Sequence, residues 1–209
     1  KKHMHTHYSN IITIKQWRSV STVTHRSLAK MVVFLLCIKA DLDQVASLSL
    51  KPGTNLCLSI KNPLSDFEVR EKITIDTSEF VEQEPGSREP AHHFRIKWEG
   101  SKKQSTMTIL SEAEAKSALK KASKKSKSTD LSPRPLGQSG TFVPICAIEC
   151  RGIEPYKFHC LGDEFVVESE GGAKFEDDVD LSEGDWAEYD EENDLSVSVE
   201  NFESKLMAV

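Results

Sequence analysis

Near the C-terminus Leu195, Val197 and Val199 alternate with Ser196, Ser198 and Glu200. Apolar residues at every second position share one face only in an extended strand, where successive side chains point to opposite sides. The same period recurs along the chain. In "NLCLSIK" it sets Leu56, Leu58 and Ile60 against Asn55, Cys57, Ser59 and Lys61. In "VREKITID" it runs through Val69, Ile73 and Ile75 with one irregularity. "VVFLLCIKADL", rich in β-branched and apolar residues, reads as a first strand, and "TFVPICAIEC" and "EFVVESE" as later ones. "HHFRIKW" and "STMTIL" flank "EGSKKQ", a hairpin with Gly100 in its turn, and "GG" at 171–172 marks a second hairpin. The pattern predicts a mainly β protein of two β-rich halves, sandwich- or barrel-like, packed together over about 31–110 and 141–209.

Two stretches break the period. Residues 111–140 begin with helix-forming "SEAEAKSALKKAS", become almost pure Lys and Ser, and end in "SPRPLGQSG". They read as a short helix or disordered basic segment followed by a flexible linker, so that a Lys-rich linker joins the halves. Residues 1–30 carry six Lys or Arg and no acid. They fit a transit peptide, a disordered tail, or upstream sequence ahead of a start at Met31.

Charge and cysteine usage bound the function. Net charge is −6, and residues 163–203 hold seventeen of the thirty-three acids with only Lys174 to offset them. A phosphate backbone would be repelled there, which argues against nucleic acid as the main partner. No apolar run reaches the roughly 20 residues that span a bilayer. Five cysteines, an odd number, and no permitted Asn-x-Ser/Thr sequon point to a reducing, cytoplasmic setting. The expectation is a monomer with a protein partner, and no membrane contact.

"CAIECRGIEPYKFHC" gathers Cys146, Cys150, His159 and Cys160. A zinc ion needs ligands within about 2.0–2.3 Å of one point. Pro144, Gly152 and Pro155 favour strands here, and four strand residues span roughly 13 Å, so Cys146 and Cys150 share a face but not an ion. His159 and Cys160, being adjacent, face opposite ways. No nucleophile–base or acid–base constellation is visible: Ser139 in "GQSG" lacks the flanking spacing of a nucleophile elbow, and the acids of "DDVDLSEGD" lack calcium-loop spacing. The expectation is a non-enzyme. "DWAEYDEE" sets Trp186 and Tyr189 among acids, where they either pin the segment to the core or, with Asp190 and Glu191, form a partner-binding patch.

"IECRGIEPYKF" (148–158) and "FEDDVDLSEGDWAEYDEE" (175–192) resemble the C-terminal half of the CXXC-motif-containing zinc-binding protein family, in the order Arg151-Gly152, Glu154-Pro155, Asp185-Trp186, Tyr189-Asp190-Glu191. "VVFLLCIKADLDQVASL" is similar to its opening strand. The resemblance implies a two-halved β protein without established enzymatic activity, holding one zinc on two Cys-x-x-Cys pairs in the N-terminal half. The positions matching those ligands are Leu58 and Lys61, and Trp98 and Ser101, none of which coordinates zinc. Fallback ligands are Cys57, His92 and His93; the two histidines point opposite ways on a strand, which leaves too few. The resemblance thus implies the fold, and these residues withdraw its zinc cofactor. Trp98 is the candidate to fill the vacated volume.

Overall fold

The computed structural model describes residues 31–83, 86, 90–123 and 131–209. The readings of 1–30 and of the lysine run beyond Ser123 lie outside them. In chain order the elements are β1 (Met31–Asp43), β2 (Val45–Leu50), β3 (Leu56–Lys61), β4 (Val69–Ile75), β5 (Phe94–Ile96), β6 (Ser105–Leu110), α1 (Glu112–Ser123), β7 (Val143–Arg151), β8 (Glu154–His159), β9 (Phe165–Ser169), β10 (Lys174–Phe175), β11 (Trp186–Asp190) and β12 (Leu195–Ala208). They form a six-stranded sheet ordered β11-β12-β1-β7-β6-β5 and two three-stranded sheets, β10-β9-β2 and β4-β3-β8. The protein is mainly β, as the alternation requires. Every sheet draws strands from both β-rich stretches of the sequence, which therefore interleave in space.

β1 shows why its sequence is an unbroken apolar run rather than an alternation. Phe34, Leu36 and Ile38 point into the main core with Leu58, Ile60, Ile148 and Phe165. Val33, Leu35 and Cys37 point to the other side, where α1 covers them with Ala115 and Leu119. Strands buried on both faces carry apolar residues at every position. The helix itself starts on a reciprocal cap: Ser111 N–H donates to Glu114 Oε2 at 2.9 Å, and Glu114 N–H returns to Ser111 Oγ at 3.4 Å.

The "SPRPLGQSG" stretch corrects the flexible-linker expectation. Leu136 is fully buried and exchanges two backbone hydrogen bonds with Leu48, at 2.8 and 2.9 Å. Arg134 N–H donates to Pro144 O at 2.9 Å, and Leu42 N–H donates to Ser139 Oγ at 2.8 Å. Composition suggested looseness, but one leucine with a core socket outweighs the polar residues around it. The short-helix expectation holds over Glu112–Ser123.

Both hairpins form where their glycines placed them. β5 pairs antiparallel with β6 across the turn holding Gly100 (φ 68°), and β9 pairs with β10 across Gly172 (φ 92°). The irregularity in "VREKITID" is a bulge. Leu58 faces Ile73 but Ile60 faces Arg70, and Lys72 takes a φ of 51°.

Candidate functional site

The turn after β3 and the turn after β5 are tied together. Glu68 spans them: its Oε1 accepts the N–H of Glu99 at 2.8 Å, and its Oε2 accepts from Asn62 Nδ2. Trp98, 3% exposed, donates its indole N–H to Gly152 O at 2.7 Å, and the Arg70 guanidinium lies 5.8 Å from the ring centroid. Lys61 reaches Glu154 at 2.9 Å. Both turns therefore end on one corner of the chain, Gly152 to Glu154.

The four positions at which the resemblance leads us to expect the family's ligands all lie in this region, and none offers a thiolate or imidazole. Leu58 is fully buried between Ile73 and Phe158, and Lys61 holds its ammonium on Glu154. Trp98 fills core volume beside the corner, and the Ser101 hydroxyl donates to Lys103 O at 2.8 Å. These residues do not fit a zinc ion, whose structural sites take four such ligands.

The other candidate ligands are dispersed. Cys146 and Cys150 lie on β7 in the main core with Ile148. Burial pushes the Cys146 thiol up to about 12, and burial, with the Glu149 carboxylate, also raises Cys150. Cys160 is pushed up to about 12 by burial and by the Glu164 carboxylate. His93 accepts the Ile109 N–H on Nδ1 at 3.0 Å and stacks on Phe80 at 4.5 Å. His92 is buried with Nε2 unpaired among the described residues, one nitrogen where zinc takes four ligands. Cys57 is buried opposite His159. Among the described residues no group of three or more His, Cys, Asp or Glu is placed to hold a metal ion.

One contact was not visible in the sequence. Ser59 Oγ lies 2.8 Å from His159 Nε2, because the β3–β8 pairing sets residues a hundred positions apart on one face. The Lys72 N–H, aimed by the bulge, donates to the same oxygen at 3.2 Å. Ser59 is 2% exposed, so the pair clips strands together and offers its hydroxyl no approach. Burial, then Lys157 and Lys72, hold the His159 imidazole below its ordinary value.

The aromatic–acidic segment divides. Trp186 is half-buried, edge-on to Phe175 at 5.4 Å, and pins β11 to the core. Tyr189 is exposed and donates its hydroxyl to Asp194. Asp190 is a correction to the proposed patch: it is 2% exposed and accepts from Ser169 Oγ at 2.7 Å and Asn193 Nδ2 at 2.9 Å. Its carboxylate closes the β11–β12 turn from within. Glu191 stays on the surface.

A cleft of about 740 Å³ opens on the side of α1. Leu50, Phe80, Ile109, Leu110, Pro133 and Ile145 supply apolar wall, and Glu112 and Glu114 stand at its edge.

The fold is thus a three-sheet β protein whose two N-terminal turns are locked by a tryptophan and a carboxylate. The chain belongs to the eukaryotic CXXC motif containing zinc binding protein family, whose model matches residues 35–207. It is 44% identical over 75 residues to the UPF0587 protein CG4646 of Drosophila melanogaster, covering 36% of this chain and 45% of that protein. It is 35% identical over 75 residues to the CXXC motif containing zinc binding protein of Xenopus laevis, covering 36% and 46%. These matches span about half the length of the curated relatives. A solved hypothetical protein from Plasmodium falciparum shares the fold with a TM-score of 0.66 at 24% identity, over 84% of this chain and 99% of that one. The solved C1orf123 does so with a TM-score of 0.65 at 22% identity, over 85% and 99%. No Cys-x-x-Cys occurs anywhere in the 209 residues.

Proposed function

We propose that this chain is a non-enzymatic binding module of the family that keeps its fold without the zinc its relatives are named for. The observation that carries the reading is Trp98, which the resemblance sets at a ligand position: it is a buried indole, hydrogen-bonded to Gly152 and flanked by Arg70. A structural zinc ties two turns through shared ligands, and its binding energy is also folding energy. Here Glu68 and Trp98 make the equivalent tie with hydrogen bonds and apolar burial. Five unbonded cysteines support a reducing, cytoplasmic setting. Tyr189 and Glu191, set among the exposed acids of β11 and its turn, are the surface offered to a protein partner.

The test is the metal content of the full chain purified without added chelator, read by elemental mass spectrometry. No stoichiometric metal is expected. One equivalent of zinc, lost together with the folded state on chelation, would overturn the reading and make this a true metal protein with unconventional ligands.

A further inference from the structure

The turn between β3 and β4 is a stiff finger with bare apolar tips. Phe67 is 94% exposed and Leu64 is 84% exposed. The backbone beneath them is braced: Asn62 N–H donates to Glu68 O at 2.9 Å, Ser65 N–H to Asn62 O at 3.1 Å, and Leu64 N–H to Asn62 Oδ1 at 3.0 Å. With Glu68 also fixed to Glu99, the finger is held in place before anything touches it. Two large apolar groups held in water by a rigid turn are the pattern of a contact point.

The finger and the cleft lie at opposite ends of the same strand. β4 runs from Val69, beside the finger, to Ile75, two residues short of Thr77 in the cleft wall. Its seven residues separate the two by roughly 20 Å at about 3.3 Å per residue. β4 is also the outer strand of its sheet, with Val69, Arg70, Glu71, Lys72 and Thr74 exposed. A two-fold axis through the middle of β4 would therefore bring each finger to the other copy's cleft.

We propose that two copies of this chain associate with their β4 strands antiparallel across a two-fold axis, each finger seated at the mouth of the other's cleft. The charges select the register. With the axis between Glu71 and Lys72, each Glu71 faces Lys72 of the second copy, Arg70 faces Ile73, and Val69 faces Thr74. A shift of one residue sets Lys72 against Lys72 or Glu71 against Glu71, which like-charge repulsion disfavours. The selected register also sets the finger's base at Glu68 beside Ile75 of the second copy, two residues short of Thr77 in its cleft wall. The bulge at Lys72 limits any backbone ladder, as bulges on edge strands do, so the apolar tips carry the affinity and the charge pair sets the alignment. Such a contact is self-complementary and closes on itself, giving a dimer and no filament. It replaces the monomer expected from sequence and does not depend on the metal-free reading.

The test is sedimentation velocity of the full chain from about 1 to about 100 μM, a range matched to roughly micromolar affinity. A monomer–dimer equilibrium is expected. Phe67→Asp should weaken the dimer by at least about tenfold, the effect of about 1.4 kcal/mol. Lys72→Glu should weaken it by placing like charges together, and Lys72→Glu combined with Glu71→Lys should restore it. All three positions are exposed, and circular dichroism checks that each variant is folded. A wild-type chain that stays monomeric throughout overturns the proposal. So does a dimer that Phe67→Asp leaves intact, or a folded charge-swapped chain that fails to recover.

Discussion

The indole N–H of Trp98 donates to the carbonyl of Gly152 at 2.7 Å, joining the β5–β6 turn to the β7–β8 corner across 54 residues of sequence. Trp98 thus helps to order strands of different sheets with a side chain that is both large and singly polar. Such a residue contributes area and direction together.

Replacing Trp98 separates the two contributions. Trp98→Phe keeps most of the buried area and leaves the Gly152 carbonyl unpaired, which should cost about 1–3 kcal/mol. Trp98→Ala should cost about 3–5 kcal/mol. Urea unfolding of both variants measures the difference, and a Trp98→Phe chain as stable as the parent would show that the hydrogen bond contributes nothing.

Glu68 is the second half of the tie. Glu68→Gln keeps the shape but removes the charge and turns one acceptor toward Asn62 into a donor, a loss of about 1–3 kcal/mol. Exchange of the Glu99 amide proton should be faster in this variant than in the parent chain.

Leu136 anchors the segment that composition suggested was a linker. Leu136→Ala should destabilise the protein by about 2–5 kcal/mol, the range for a buried leucine, where a linker position would change it by less than about 0.5 kcal/mol. Limited proteolysis should leave 131–140 uncut in the parent chain.

Acid should weaken the fold in two stages. Burial lowers the His93 imidazole, and burial with Lys157 and Lys72 lowers His159. A histidine whose folded value is depressed contributes stability that is present above its unfolded value of about 6.5 and lost as pH falls from there toward the folded value. Ser169 and then Asn193 hold the Asp190 carboxylate low, and Ser182 holds Asp180 low. Those contributions are present above the ordinary aspartate value of about 3.9 and vanish as pH falls through the lower folded ones. Melting temperature followed from pH 8 downward should drop first near pH 6 and again below about pH 4. Titration of the His159 ring by NMR locates the first step directly; a value at or above 6.5 contradicts the burial argument.

The strands could be read from the chain because alternation is a local property. Leu56, Leu58 and Ile60 needed only their own spacing to declare an inward face, and Gly100 and Gly172 only their neighbours to declare turns. The absence of any Cys-x-x-Cys pair was legible for the same reason, since it is a matter of residue identity and spacing alone.

Pairing is another matter. Nothing in β1's residues says that β12 and β7 flank it, or that α1 covers its outer side, because those contacts join segments far apart in the chain and depend on which faces meet. The Ser59–His159 contact, the socket for Leu136 and the inward turn of Asp190 all arise that way. The sequence by itself set the β character, the turns and the absence of Cys-x-x-Cys ligands. Only the tertiary structure decided which polar groups are consumed inside and which remain on the surface, since burial belongs to the assembled fold and not to any stretch of it.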